Sequence, residues 1–282
     1  MTYMLYVFLT AAAAAIPIID RFHPFLRTAS AVWLVPVLFI GTFLALCAVY
    51  TVFFVICGRA VNLKKPVTKN SRFYRGLVDL TLPSLFKIAR VKVISTGTDK
   101  AEGVFPATVV CNHIHAIDPA VILKELPELR LGFIGKKEIY TEMPFVARFM
   151  HKLCCLPLDR ENTREAAKTI LQAIDLIKKK TVSIGVFPEG YTSPDGELHE
   201  FRNGAFKIAT KSECPIIVCT VIGTDEAVKH LFRKKNTVYF DVLEVIPADE
   251  VRALSTAELS ERIHKTMAQN IQKRREELCS EK

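Results

Sequence analysis

His113 and Asp118 stand five residues apart in the stretch Val109-Val110-Cys111-Asn112-His113-Ile114-His115-Ala116-Ile117-Asp118-Pro119. An imidazole and a carboxylate at this spacing can act as a general-base pair. The apolar, β-branched residues 107–111 read as a buried strand, and Pro119 suits the first turn of a helix. Both side chains therefore share one strand-to-helix turn, where Asp118 can accept a hydrogen bond from His113. That bond holds the ring in one tautomer and stabilises its protonated form, as taking a proton from a hydroxyl requires. Taken alone, a His and an Asp so spaced are more often a capping or surface pair.

The company further along the chain decides otherwise. Leu156-Pro157-Leu158-Asp159-Arg160 is followed by Val186-Phe187-Pro188-Glu189-Gly190-Tyr191-Thr192-Ser193 and by Cys214-Pro215-Ile216-Ile217-Val218. In this order the stretches resemble the four blocks of the glycerolipid acyltransferase family, typified by the 1-acyl-glycerol-3-phosphate (lysophosphatidate) acyltransferases. Those blocks are Asn-His-x4-Asp, a hydrophobic run ending in Arg, Phe-Pro-Glu-Gly, and a strand opened by Pro. The resemblance covers residues 91–245.

It implies an α/β fold, a mixed sheet flanked by helices, preceded by N-terminal transmembrane helices. It also implies transfer of a fatty acyl group from acyl-CoA or acyl carrier protein to the free hydroxyl of lysophosphatidate. His113 is then the base and Asp118 its orienting partner. Asn112, Arg160, Glu189 and Gly190 are the expected substrate-binding residues. The thioester donor is a co-substrate, so neither a cofactor nor a nucleophilic serine is expected, and backbone N–H groups near His113 are candidates for stabilising the oxyanion.

The chain departs from the family at one place. The third block ordinarily continues Glu-Gly-Thr-Arg-Ser, and here Tyr191 and Thr192 replace the Thr and the Arg. Loss of that cation leaves the acceptor open between lysophosphatidate and another lysophospholipid or amino-lipid. Arg202 or Lys207, in Phe201-Arg202-Asn203-Gly204-Ala205-Phe206-Lys207, can compensate. A catalytically silent lipid-binding protein is the reading from another class, and the intact His113–Asp118 pair weighs against it.

Bulk properties agree with a membrane-tethered domain. The 282 residues are 50% hydrophobic with a formal net charge of +9, which suits an anionic partner such as phospholipid or a phosphorylated substrate. No nucleic-acid module is recognisable. The eight cysteines form no Cys-x-x-Cys pair and sit mostly in apolar runs, as buried free thiols do. No metal-ligand spacing is present.

The elements that must position these residues follow from pattern. Residues 1–63 read as a membrane anchor with two apolar segments, 3–19 and 30–57. The second is uncharged from 28 to 58, more than the roughly 20 residues a bilayer span needs. Arg59, Lys64, Lys65, Lys69, Arg72 and Arg75 follow before the first acid, Asp79, a cluster that marks the cytoplasmic side. Residues 64–90 read as one or two basic, amphipathic helices on the membrane surface, broken at Pro83. The acyltransferase domain occupies 91–282, with strands over 91–95, 107–111, 131–135, 182–187 and 215–222 and a half-exposed strand over 237–242. A helix over 162–180 starts at Asn162. A closing helix begins at the capping box Ser255-x-x-Glu258 and packs Leu259, Ile263, Met267 and Ile271.

Overall fold

The computed structural model describes residues 34–280 except Pro194. The apolar segment 3–19 lies outside the described residues. The chain divides into two units at Asn62 and Leu63. In the first, helix α1 (Leu34–Arg59) runs for 26 residues. Among the described residues it alone is long and apolar enough to cross a membrane.

The second unit is built on a mixed sheet. Its strands are β1 (Val91–Thr96), β2 (Thr108–Cys111), β3 (Gly132–Lys136), β4 (Leu156–Leu158), β5 (Ile184–Val186), β6 (Ile216–Ile222) and β7 (Asn236–Ile246). They lie in the order β1-β7-β6-β2-β5-β3-β4. Strands β6, β2, β5, β3 and β4 run parallel, β7 is antiparallel to β6, and β1 follows β7.

Central strands covered on both faces are apolar throughout rather than alternating, and β2 and β6 show this. Successive side chains point to opposite faces, so Val110, Ile216 and Val218 join one core while Val109, Cys111, Ile217, Cys219 and Val221 join the other. Helices α6 (Thr163–Lys178) and α10 (Thr256–Ser280) cover the first face through Ala173, Leu176, Ile177, Leu259, Ile263 and Met267. Helices α2 (Arg72–Ile88) and α3 (Asp118–Glu125) cover the second through Phe86, Val121 and Ile122.

Local signals act as their chemistry requires. Asn162 caps α6 by accepting from the N–H groups of Arg164 and Glu165. Ser255 and Glu258 form the reciprocal capping box of α10 at 2.8 and 3.2 Å. Helix α2 continues through Pro83 instead of breaking there. A proline forfeits one helix hydrogen bond, and packing of Val78, Leu82 and Phe86 against the sheet holds the helix together. Arg75, on the same helix, donates to the Leu131 carbonyl at 2.5 Å and pins α2 to the domain.

Four elements escaped the sequence patterns because they are too short to show a period. They are α4 (Ile139–Glu142), α5 (Pro144–Lys152), α7 (Lys207–Ser212) and α8 (Thr224–Lys229). A fifth, α9 (Ala248–Ala253), links β7 to α10.

Strand β7 is more buried than its alternation suggests, because Asp241 is 2% exposed. Arg274 of α10 grips its two oxygens at 2.7 and 2.9 Å, while Thr96 and Asn270 donate at 2.6 and 3.0 Å. Burial pushes the Asp241 carboxyl up, but the bonds from Arg274, Thr96 and Asn270 outweigh it and hold it below its ordinary value. Removing the guanidinium strands a buried carboxylate, so Arg274→Ala is expected to cost about 3 kcal/mol in denaturant unfolding. A depressed carboxyl contributes stability above its unfolded value. The difference from wild type is therefore full at pH 7 and shrinks as pH falls below about 4.

Candidate active site

In an open sheet, sites form outside the carboxyl ends of parallel strands. Strand β2 ends at Cys111 and delivers Asn112 and His113, β5 ends at Val186 and delivers Phe187 to Gly190, and β4 ends at Leu158 and delivers Asp159 and Arg160. Three stretches far apart in the chain thus open at one edge of the sheet.

Asp118 is the first residue of α3 and is fully buried. Its Oδ2 accepts three bonds, from His113 Nδ1 at 2.8 Å and from the N–H groups of Ile114 and His115 at 2.7 Å each. An oxygen that takes two amide hydrogens is an acceptor for the ring as well. Nδ1 therefore carries the proton and Nε2 is the basic nitrogen of the neutral ring. Nε2 makes no hydrogen bond among the described residues, and the side chain is 17% exposed.

The ring is also held flat. His113 stacks on Phe187 with centroids 4.1 Å apart and planes 20° apart, and Phe187 stacks on Phe133 at 5.9 Å. Phe133 has room only because Gly185 has no side chain. A Cβ there would stand 2.3 Å from a Phe133 ring carbon.

Glu189 is 1% exposed. Its Oε1 accepts from the His113 N–H at 3.0 Å and its Oε2 from the His199 N–H at 3.1 Å. Burial pushes its carboxyl above the ordinary range, against the pull of those amides and of the two imidazoles. Both oxygens serve the backbone, so Glu189 fixes the His113 loop and leaves Arg160 alone. The His113 carbonyl is held from the same segment, by the Ser193 N–H at 2.7 Å.

Asn112, expected at the substrate, is 3% exposed and pairs its amide with both backbone groups of Val221 at 2.8 and 2.9 Å. It prolongs the β2–β6 ladder past the end of β2. The N–H groups of Ile114, His115 and Asp118 are donated inside the turn and that of His113 to Glu189. That takes these four out of contention as oxyanion donors. Cys111 is fully buried, and burial pushes its thiol well up, which removes it as a nucleophile.

Two guanidiniums remain. Asp159 is occupied by Lys137 at 2.8 Å and by the N–H groups of Glu161 and Asn162. Arg160 is thus left with no ion pair among the described residues. Partial burial, and behind it the like charge of Arg202, hold Arg160 below its ordinary value. Arg202 lies over Gly190, whose φ is +79°, with its Nε 2.8 Å from where a Cβ would stand. Gly190 supplies both the left-handed turn and the space for that arginine. Lys207 opens α7 as an exposed side chain whose ammonium makes no bond among the described residues. Two mutually repelling arginines, unpaired among the described residues, suit a bound anion.

The acyltransferase family profile matches residues 92–222. The chain is 32% identical over 141 residues to the probable 1-acyl-sn-glycerol-3-phosphate acyltransferase of Mycoplasma genitalium, covering 49% of this chain and 51% of that one. It is 26% identical over 164 residues to 1-acyl-sn-glycerol-3-phosphate acyltransferase beta of Homo sapiens, covering 57% and 58%. It spans about half the length of these curated relatives. In fold it is similar to the 1-acyl-sn-glycerophosphate (LPA) acyltransferase, PlsC, from Thermotoga maritima, with a TM-score of 0.61 and 21% identity over 80% of this chain and 88% of that one. The acyltransferase fold expected from the motifs is the fold observed.

The chain of contacts from Gly185 through Phe133 and Phe187 to His113 is testable. Gly185→Ala is expected to cost about 1–3 kcal/mol in unfolding by overpacking. Because the stack is displaced, kcat in an acyl-transfer assay falls as well, with little change in either KM.

Proposed function

We propose that the protein is a membrane-bound acyltransferase that moves a fatty acyl group from a thioester, acyl-CoA or acyl carrier protein, to the free hydroxyl of 1-acyl-glycerol-3-phosphate. The observation that carries this is the His113 Nδ1 to Asp118 Oδ2 bond of 2.8 Å, with Nε2 left without a partner among the described residues. Nε2 takes the hydroxyl proton as the oxygen attacks the thioester carbonyl. The C–S bond breaks, and the imidazolium returns the proton to the departing sulfur. Arg160 and Arg202 hold the acceptor phosphate.

The relatives' names support the acceptor, and the unpaired arginines support an anionic head group. Tyr191 and Thr192, in place of the family's Thr and Arg, favour a second acceptor class, another lysophospholipid or an amino-lipid.

Helix α1 is the proposed span, and the basic residues Arg59, Lys64, Lys65, Lys69 and Arg72 support a cytoplasmic face for the domain. Helix α2 buries Tyr74, Arg75 and Phe86 and leaves Phe73, Leu80, Leu85 and Ile88 exposed. That second apolar face, beside basic side chains, suits contact with anionic lipid.

The test is acyl transfer by purified protein in lipid, with labelled donors against a panel of lysolipids. His113→Ala is expected to lower kcat at least ~10²-fold with KM little changed, and Asp118→Asn to lower it by ~10²–10⁴-fold. Arg160→Ala is expected to raise the KM for lysophosphatidate about tenfold or more while leaving the donor KM unchanged. Equal rates for wild type and His113→Ala would overturn the reading.

A further inference from the structure

A second imidazole–carboxylate pair lies beside the same turn. His199 Nε2 is 2.9 Å from Asp195 Oδ1, which also accepts from the Ser193 hydroxyl at 2.9 Å and from the Glu197 N–H at 3.0 Å. The His199 ring lies 5.7 Å from that of Tyr191, and its main-chain N–H bonds to Glu189, whose other oxygen holds His113. One buried carboxylate therefore connects the backbones that carry the two imidazoles. Arg202 flanks the same turn at Gly190.

We propose that His199, oriented by Asp195, binds the phosphate of the acceptor head group and supplies the cation missing at Thr192. This rests on the acyltransferase reading above. Asp195 Oδ1 accepts from an amide and a hydroxyl, so the His199 nitrogen facing it carries the hydrogen and Nδ1 is left for a ligand. Neutral, that nitrogen can only accept; protonated, it donates to a phosphate oxygen. The side chain is 34% exposed, open to a bound molecule.

The charged groups around the ring are Asp195, Glu189 and Glu197. Glu197 is itself paired with Arg275 of α10 at 2.7 and 2.8 Å, and Arg275 also donates to the Gly196 carbonyl at 2.8 Å. The Asp195 bond, ahead of the nearby carboxylates, holds the imidazole above its ordinary value. The imidazolium is therefore populated toward neutral pH. The loop is stapled at His113 by Ser193, at Glu189 by His199 and at α10 by Arg275, so His199 is held in place before a ligand arrives.

The experiment compares wild type, His199→Gln and His199→Arg for lysophosphatidate acylation between pH 6 and pH 9. The ratio of acceptor KM in His199→Gln to that in wild type cancels the titration of the substrate phosphate. It is expected to be about tenfold at pH 6 and to fall toward one at pH 9, with the donor KM unmoved. His199→Arg keeps the low KM at both ends of the range. A ratio independent of pH, or a loss in kcat with KM unmoved, overturns the proposal.

A second readout needs no turnover. The His199 ring, assigned by its absence in His199→Gln, is titrated by NMR with and without glycerol 3-phosphate. Its midpoint is expected to rise with the phosphate present, and an unmoved midpoint overturns the proposal. If wild type transfers no acyl group, the parent reading falls by that result, and the titration decides His199 on its own.

Discussion

One carboxylate oxygen organises the site. Asp118 Oδ2 takes its three N–H bonds in a position closed to water, where a bond to a charged acceptor is stronger than at the surface and an unmade one more costly. Two of the donors are the amides that follow His113, and the third is the ring itself. The same oxygen therefore sets the backbone path of the turn and the tautomer of the imidazole. Change the turn and the ring loses its partner; remove the partner and two amides are stranded with it.

A second buried carboxylate extends this arrangement to the third block. Glu189 binds the amides of His113 and His199, and Ser193 returns a bond to the His113 carbonyl. The loop after β5 is thus part of the frame that holds His113. Asn112 plays the corresponding part toward β6 through Val221. Burial consumed side chains whose types suggested contact with a ligand. Arg160 and Arg202, left unpaired among the described residues, are the ones with charge to offer.

Much of this was legible in the residues. The β2 strand and the apolar stripe of α10 follow from the residue pattern, and the His113–Asp118 turn, the Asn162 cap and the Ser255 box from partners that lie within a few residues along the chain. What local rules missed has a common cause. The helices α4 and α5 are too short for a period to register, the continuity of α2 through Pro83 is supplied by packing, and the burial of Asp241 depends on Arg274, 33 positions away. The occupation of Asp159 by Lys137 depends on β3 and β4 lying side by side.

The sequence by itself determined the chemistry available: an imidazole with a carboxylate on one turn, arginines for an anion, an apolar segment for a bilayer, and the absence of the usual third-block arginine. These are properties of residue type and short spacing, and they need no fold to be read. Only the tertiary structure decided which side chains are spent as struts and which stay open at the rim. The strand order β6-β2-β5-β3-β4 brings the ends of β2, β5 and β4 to one edge, and hydrogen bonds across that edge then satisfy Asn112 and Glu189 internally. Such long-range pairing leaves no local trace, because each donor and acceptor is ordinary until its partner arrives from another strand.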